Sequence, residues 1–507
     1  MIFDQKILVL GNETSDTDKQ TRFLALKEKT LNHGFVNDSS FVPVDPGYYH
    51  TTVVDLSPGD IVHLSDHFDT VLMLDQDKES YSHSKILVTT VRLMHDLEQA
   101  GVNVIYKENA VAKNLVYWRN YLKENKSFCF YPFLALVDNA EFTTLCPKNM
   151  LPLSKVDSVA EWATNTDYQN IREKMLAGTF IPERCSDCYD RENEGQESTR
   201  QYETLEWAEK IGATSVEDFA QISIPLYYEV RPSNKCNIMC RTCDDFHSHL
   251  IEREWKTIGI LVQSATQHYK NTAFDKIDFK SARRLYVGGG EPTIMPEFYD
   301  LLRKCADAGY TDFELNIGTN GMKFSDKLVD LLSHFKHVVL SFSFDGYKKV
   351  NDYIRWRSEF DTIVENSRML RLQGHKIALQ TVFSMYSITR MHEVFEFYDQ
   401  EFPDSGLLVQ VGMGLDDTFM PFNHPFPELV VESMRRCQQT KIYFQNGRSI
   451  KSMVDLILNY YSNPEYQVNI DSLRKFFKYN DLLDQSRNSQ LGDYIPELEE
   501  GRKFIID

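Results

Sequence analysis

Residues 231–243 read RPSNKCNIMCRTC, and the three cysteines in that stretch, Cys236, Cys240 and Cys243, stand at C-x3-C-x2-C spacing. Three thiolates can hold three irons of a four-iron cluster, which leaves the fourth iron open to a ligand that the protein does not supply. The same spacing admits a zinc knuckle, because His247 follows Cys243 at C-x3-H and would complete a Cys3His tetrahedron. Soft thiolates suit both metals, so the triplet alone leaves both readings open.

Downstream of the triplet a helical stretch leads into an apolar strand that ends in Gly288-Gly289-Gly290-Glu291-Pro292. The two motifs together resemble the radical SAM superfamily, whose core carries C-x3-C-x2-C after its first strand and GGEP at the end of its second. Periodicity supports the matching architecture. Strand-like segments run Leu226 to Val230, Arg284 to Val287, Glu314 to Gly318, Val338 to Phe344, Ile377 to Phe383 and Leu407 to Val411, with helical patterns between them. Six such βα units make a parallel sheet that curls into a partial (β/α)6, TIM-like barrel, with ligands at the C-terminal ends of its strands.

The resemblance implies a catalytic 4Fe-4S cluster on Cys236, Cys240 and Cys243, with S-adenosylmethionine on the open iron. Gly289 and Gly290 would let backbone approach the methionine moiety, and Glu291 would offer a carboxylate to its ammonium. By the same resemblance Asn320, Ser343 and Asp345 face the ribose side, and Arg355 in NDYIRW pairs the methionine carboxylate. Each of these four also reads as a turn residue or a solvated charge. Thr242 stands where the superfamily often has an aromatic residue near the adenine. Cys305 and Cys437 lack metal-spaced neighbours and read as packing cysteines.

Upstream of the core lie four more cysteines, Cys129 in FCFYPF, Cys146, and Cys185 with Cys188 in RCSDCYDRENEGQESTR. Four thiolates suffice to ligate one metal centre, zinc or iron-sulfur. The surrounding words resemble the cysteine-bearing module of SPASM and twitch-type radical SAM proteins, which implies a second, auxiliary 4Fe-4S cluster. In many of those relatives the module follows the catalytic core; here it precedes it.

The 507 residues are 42% hydrophobic and 12% aromatic, a composition that describes folded domains rather than disorder. A net charge of −19 disfavours a large nucleic-acid surface, since phosphate contacts rely on Lys and Arg. The start MIFDQKILVLG lacks a basic n-region, and no apolar run approaches the ~18 residues of a spanning helix, so a cytoplasmic protein without membrane contact is expected. Seven of the nine cysteines fall in two local groups, which suits metal ligation better than disulfides.

Four regions are expected: an α/β domain of unknown role over 1–120, an auxiliary-cluster module over 121–205, the radical SAM partial barrel over 220–420, and a helical C-terminal region over 421–507. In the first, Lys6–Asn12, Thr70–Leu74 and Asn103–Tyr106 read as strands, and Asp18–His33 and Ser84–Ala100 as helices.

The function implied is reductive cleavage of S-adenosylmethionine to a 5′-deoxyadenosyl radical, and hydrogen abstraction from a small-molecule or peptide substrate. The auxiliary cluster would support net oxidation, and an external donor such as flavodoxin or ferredoxin would supply electrons. A peptide-modifying maturase is the alternative within the class. A zinc-stabilised, non-catalytic binding protein is the alternative outside it.

Overall fold

The computed structural model describes residues 7–10, 70–73, 103–106, 110–139, 142–193, 198–262, 273–403, 405–411, 419–445 and 448–505. Its contacts divide the chain into two compact units, one of residues 1–130, 175–180 and 198–221, the other of residues 131–174, 181–197 and 222–507. No helix among the described residues is long and apolar enough to cross a membrane.

In the first unit three short runs rich in β-branched residues, β1 (Ile7–Leu10), β2 (Thr70–Met73) and β3 (Asn103–Tyr106), pair in parallel in that order. The helices expected at 18–33 and 84–100 lie outside the described residues. Helix α1 (Ala110–Glu124) places Trp118 in the interior, where its indole N–H donates to the Ala213 carbonyl at 2.8 Å. The buried Arg200 guanidinium donates to the carbonyls of Leu122, Asn125 and Phe128, so a cation satisfies groups that the end of α1 leaves without helical partners.

The second unit is built on a nine-stranded sheet. Strands β4 (Ala135–Asp138), β5 (Thr143–Cys146) and β6 (Asn149–Leu153) form an antiparallel meander, followed by helix α2 (Pro182–Asn193). Then come β7 (Tyr227–Val230), the two-residue β8 (Met239–Cys240), helix α3 (His249–Ile258), β9 (Arg284–Val287), helix α4 (Pro296–Ala308) and β10 (Glu314–Thr319). Helix α5 (Asp326–Ser333), β11 (His337–Ser343), the two-residue β12 (Arg355–Trp356), helix α6 (Phe360–Leu372), β13 (Lys376–Phe383), helix α7 (Met391–Glu401) and β14 (Gly406–Val411) complete the series.

The sheet order is β14-β13-β11-β10-β9-β7-β4-β5-β6, and all pairings from β14 through β4 are parallel. Helices join the parallel strands because such pairs need a crossover rather than a tight turn. On β13 the alternation buries Ile377, Leu379, Thr381 and Phe383 and leaves Ala378, Gln380 and Val382 half-buried, the period-two pattern of a strand with one fully covered face.

The meander that carries Cys146 therefore belongs to the sheet of the core rather than to a free-standing module. Asp138 at the end of β4 is buried against the Lys276 ammonium, a pairing that ties the meander to the segment before β9. The C-terminal stretch folds as α8 (Pro427–Cys437), α9 (Arg448–Ser462) and α10 (Ile470–Arg487). Leu473, Phe476, Phe477 and Leu483 of α10 share one apolar core with Met239, Ile251, Trp255 and Ile354. Each such side chain taken fully from water contributes about 1.5–3 kcal/mol.

Candidate active site

The cysteine loop leaves β7 at Val230 and is held against the loop that follows β9. Gly288 N–H donates to the Val230 carbonyl at 3.0 Å, Gly290 N–H to Ser233 at 2.8 Å and Glu291 N–H to Lys235 at 2.7 Å. This approach requires glycine. A Cβ on Gly290 would stand 2.0 Å from the Lys235 carbonyl oxygen, and one on Gly289, at φ +110°, 2.6 Å from that of Ser233. The glycines thus make room for the loop carrying Cys236.

Cys240 enters a two-residue antiparallel bridge in which it pairs Arg355 and Met239 pairs Trp356, and Arg241 N–H donates to the Ile354 carbonyl at 2.7 Å. Cys243 N–H closes the turn onto the Cys240 carbonyl at 3.3 Å. The three thiols converge. Burial raises the pKa of each; the Cys240 sulfur raises that of Cys236 further, to about 12, and the other two sulfurs add to the shift of Cys243. The Arg355 cation lies close enough to Cys236 and Cys240 to pull both back down.

Glu291 is fully buried, and four donors converge on its carboxylate: the Thr293 N–H at 3.1 Å, the Thr293 and Thr319 hydroxyls each at 2.8 Å, and the Asn320 N–H at 2.6 Å. Burial raises its pKa and these hydrogen bonds oppose the rise. The carboxylate links the ends of β9 and β10. Asn320, buried just past β10, donates from its side-chain amide to Asn237 Oδ1 at 2.7 Å and approaches Cys236 Sγ at 3.9 Å. Ser343 is half-buried at the end of β11 and pairs in register with Gln380.

Asp345 and Arg355 are buried and paired to each other, Arg355 Nη1 to Asp345 Oδ2 at 2.7 Å, while Asp345 Oδ1 accepts the Val382 N–H at 3.0 Å. The Arg355 Nε–H is buried and without a partner among the described residues. His247, the residue that would complete a zinc knuckle, has its Nδ1 at 2.7 Å from Asp244 Oδ1.

Residues 230–397 match the model of the radical SAM superfamily. This stretch is a radical SAM domain. A 121-residue stretch is 30% identical to the tungsten-containing aldehyde ferredoxin oxidoreductase cofactor-modifying protein of Pyrococcus furiosus, over 24% of this chain and 30% of that one. Over 121 residues the chain is also 26% identical to the mycofactocin maturase MftC of Mycobacterium tuberculosis, with the same coverage of each chain. An uncharacterized protein of Methanothermobacter thermautotrophicus is 29% identical over 113 residues, 22% of this chain and 43% of that one. The chain therefore spans less than half the length of each of these relatives.

The residues of the radical SAM domain fit the group that the family implies. Three soft donors lie together on one loop, a buried cation stands beside two of them, and one guanidinium N–H is buried with no partner among the described residues. Among the described residues no three His, Cys, Asp or Glu side chains gather round a point where a single metal ion could sit.

A second group of thiols lies on the meander and on α2. Cys185 and Cys188 are three residues apart on the helix, hence on one face, and Arg184 ties that helix to β6 by donating to the Leu151 and Pro152 carbonyls at 2.9 and 3.2 Å. Both sulfurs raise the pKa of Cys146, which burial pushes up to about 12, while N–H groups of Lys148 and Asn149 in the β5–β6 turn bond its sulfur and oppose the rise. Backbone N–H groups aimed at a sulfur suit a thiolate ligand. Cys129 is half-buried in the first unit.

Three residues beside the cysteine loop carry no motif: Asn237, which holds Asn320; Arg241, between Cys240 and Cys243; and Asp484 on α10, which Arg241 reaches. The signal for Arg241 in the sequence is a charged residue between two cysteines with no acidic neighbour nearer than Asp244. Cys305 and Cys437 are buried at 2% and 0% exposure, as packing cysteines would be.

Proposed function

We propose that the chain is a radical SAM enzyme with its catalytic cluster on Cys236, Cys240 and Cys243. A four-iron cluster with S-adenosylmethionine supplies, when bound, the electron that breaks a sulfonium carbon-sulfur bond and the 5′-deoxyadenosyl radical that takes hydrogen from a substrate. The observation that carries the reading is the convergence of these thiols at the C-terminal ends of β7 and β9, pinned there by Gly288, Gly290 and Glu291. The three thiols bind iron, and the Arg355 guanidinium offsets the negative charge they acquire on losing their protons. Asn320 and Ser343 stand at the ends of β10 and β11 to meet the ribose side of the cofactor. Burial keeps bulk water from Glu291, which braces the loop from beneath.

Cys146, Cys185 and Cys188 would supply thiolates to an auxiliary 4Fe-4S cluster. Such a second centre would suit electron transfer and net oxidation. External reduction by a flavodoxin or ferredoxin completes the cycle. The likeness to a maturase favours a peptide substrate over a small molecule.

Anaerobic purification followed by iron, sulfide and zinc analysis, and by chromatography of 5′-deoxyadenosine after addition of S-adenosylmethionine and dithionite, tests the proposal. About eight irons per chain are expected for two clusters. The nucleoside should form in wild type and be absent from the Cys236→Ala/Cys240→Ala/Cys243→Ala variant. Zinc in place of iron, with no 5′-deoxyadenosine, would establish the binding-protein alternative instead.

A further inference from the structure

Arg241 sits between Cys240 and Cys243 and is fully buried, and its guanidinium points away from the thiols into the C-terminal helix. Nε donates to the Tyr353 carbonyl at 2.9 Å, Nη1 to Asn480 Oδ1 at 3.1 Å, and Nη2 both to Asp484 Oδ1 at 2.5 Å and to Ser489 Oγ at 3.0 Å. The group also stacks on the Tyr353 ring, 3.6 Å from its centre.

Asp484 is the hub of this network. Besides Arg241 it accepts the Tyr353 hydroxyl at 3.0 Å, the Ser489 hydroxyl at 2.7 Å, the Asn480 amide at 3.1 Å and the Leu491 N–H at 2.8 Å. Two successive turns of α10, at Asn480 and Asp484, thereby address the cysteine loop. The same helix holds the other flank: Arg487 donates to Glu254 of α3 at 2.9 and 2.6 Å, and Trp255 of α3 donates to the Tyr479 hydroxyl at 3.1 Å.

A buried ion pair is a poor source of net stability, because desolvation offsets most of the Coulombic gain; hydrophobic residues of like volume would hold the helix as well. What the pair supplies is direction. The planar guanidinium has its N–H groups in fixed positions, and with four acceptors engaged it can adopt one orientation. The backbone of Arg241, and so the spacing of the cysteines on either side, follows from that orientation.

We infer that α10 is a positioning element of the catalytic cluster site, with Asp484 acting through Arg241 to set the geometry of the cysteine loop. The inference rests on the cluster reading proposed above. It makes the C-terminal segment part of the site, although no residue of that segment is a ligand.

The test compares Asp484→Asn, which keeps the shape but removes the charge and places N–H groups among donors, with Leu483→Ala, which opens a cavity in the adjoining apolar core. Full-length proteins are reconstituted anaerobically, and the reduced clusters are read by electron paramagnetic resonance with and without S-adenosylmethionine, alongside iron content and thermal midpoint. Asp484→Asn should shift the g-values of the catalytic cluster and at least halve its response to S-adenosylmethionine, while the second cluster's signal persists. Asp484→Glu should recover part of the response. Leu483→Ala should lower the midpoint and leave the spectrum unchanged.

Ser489→Ala removes one donor to the same carboxylate and one acceptor of Arg241. It should give a smaller shift in the same direction, and it carries the test if Asp484→Asn does not fold. A wild-type spectrum from folded Asp484→Asn, or the same spectral change in Leu483→Ala, overturns the inference while the wild-type signal upholds the cluster reading. Absence of any signal from wild type overturns the cluster reading itself.

Discussion

Arg355 Nη1 donates to Asp345 Oδ2 at 2.7 Å, so two side chains that sequence reasoning directed at opposite ends of the cofactor are in the structure partners of each other beside Cys240. The pair joins the end of β11 to the bridge that carries Cys240, and Asp345 also holds the C-terminal end of β13 through the Val382 N–H. Removing the acid leaves a buried guanidinium without its counter-charge. Asp345→Ala should therefore cost about 3–5 kcal/mol in urea denaturation at neutral pH. Asp345→Asn keeps an acceptor and should cost less. A loss below ~1 kcal/mol for the alanine variant would show that solvent, not Asp345, satisfies Arg355.

Gly290→Ala places a methyl group 2.0 Å from a main-chain oxygen and 2.5 Å from the carbonyl carbon of Lys235, neither of which can turn away as a side chain would. The cysteine loop must move. The expected result is loss of most of the iron bound by Cys236, Cys240 and Cys243, roughly half the total for two four-iron clusters. Gly309→Ala is the comparison: its φ of +76° is strained for alanine, but nothing lies within 4 Å, so it should cost about 1 kcal/mol and no iron. Equal iron in both variants would contradict the close approach.

The parts of this site that a sequence reveals are those that depend on neighbours in the chain. Cys236, Cys240 and Cys243 lie within one turn-forming loop, and the alternation through Val338 to Phe344 marks β11 because period two is local. Arg241 and Asp484 are 243 residues apart, and neither has a local pattern that names the other. The four donors on Glu291 come from its own turn and from the end of β10, so its bracing position depends on how β9 and β10 lie side by side. A carboxylate in a GGEP loop reads as a ligand because chain order shows its exposure to a motif, not to Thr319 and Asn320. The seating of β4 beside β7 is likewise a pairing choice that the apolar run Ala135 to Val137 permits without specifying.

His424 gives the fold a pH dependence of its own. It is fully buried, its Nδ1 accepts the Phe426 N–H at 3.2 Å, and burial lowers its pKa from the usual 6.5 to about 3. The folded state thus binds this proton less readily than the unfolded chain. Stability from the group is fully present above about pH 6.5 and falls as pH drops towards 3, at about 1.4 kcal/mol per unit. Between pH 6.5 and 5 wild type should lose about 2 kcal/mol more than His424→Gln, measured as the difference in urea midpoints times slope. Parallel pH profiles for the two proteins would mean that the imidazole is solvated.

Cys188 tests whether the upstream thiols form a centre independent of the catalytic one. It shares a helix face with Cys185, and both act on Cys146, whose sulfur already receives two backbone N–H groups. Binding metal there must displace the proton of Cys146, whose pKa burial pushes up to about 12, so the centre forms only where coordination offsets that rise, and loss of the Cys188 sulfur should abolish it. Cys188→Ala is expected to retain roughly half of the wild-type iron, all of it on Cys236, Cys240 and Cys243. Cleavage of S-adenosylmethionine to 5′-deoxyadenosine under dithionite should then persist within about twofold, because the meander holds the loop between β7 and α3 at Arg231, through the Asp138 carbonyl and Asn139 Oδ1, five residues before Cys236. With a substrate in hand, product formation should stop while the nucleoside continues to accumulate. Wild-type iron content in Cys188→Ala would remove that thiol from the ligand set, and normal product yield from a protein lacking the second cluster would remove the electron-transfer role.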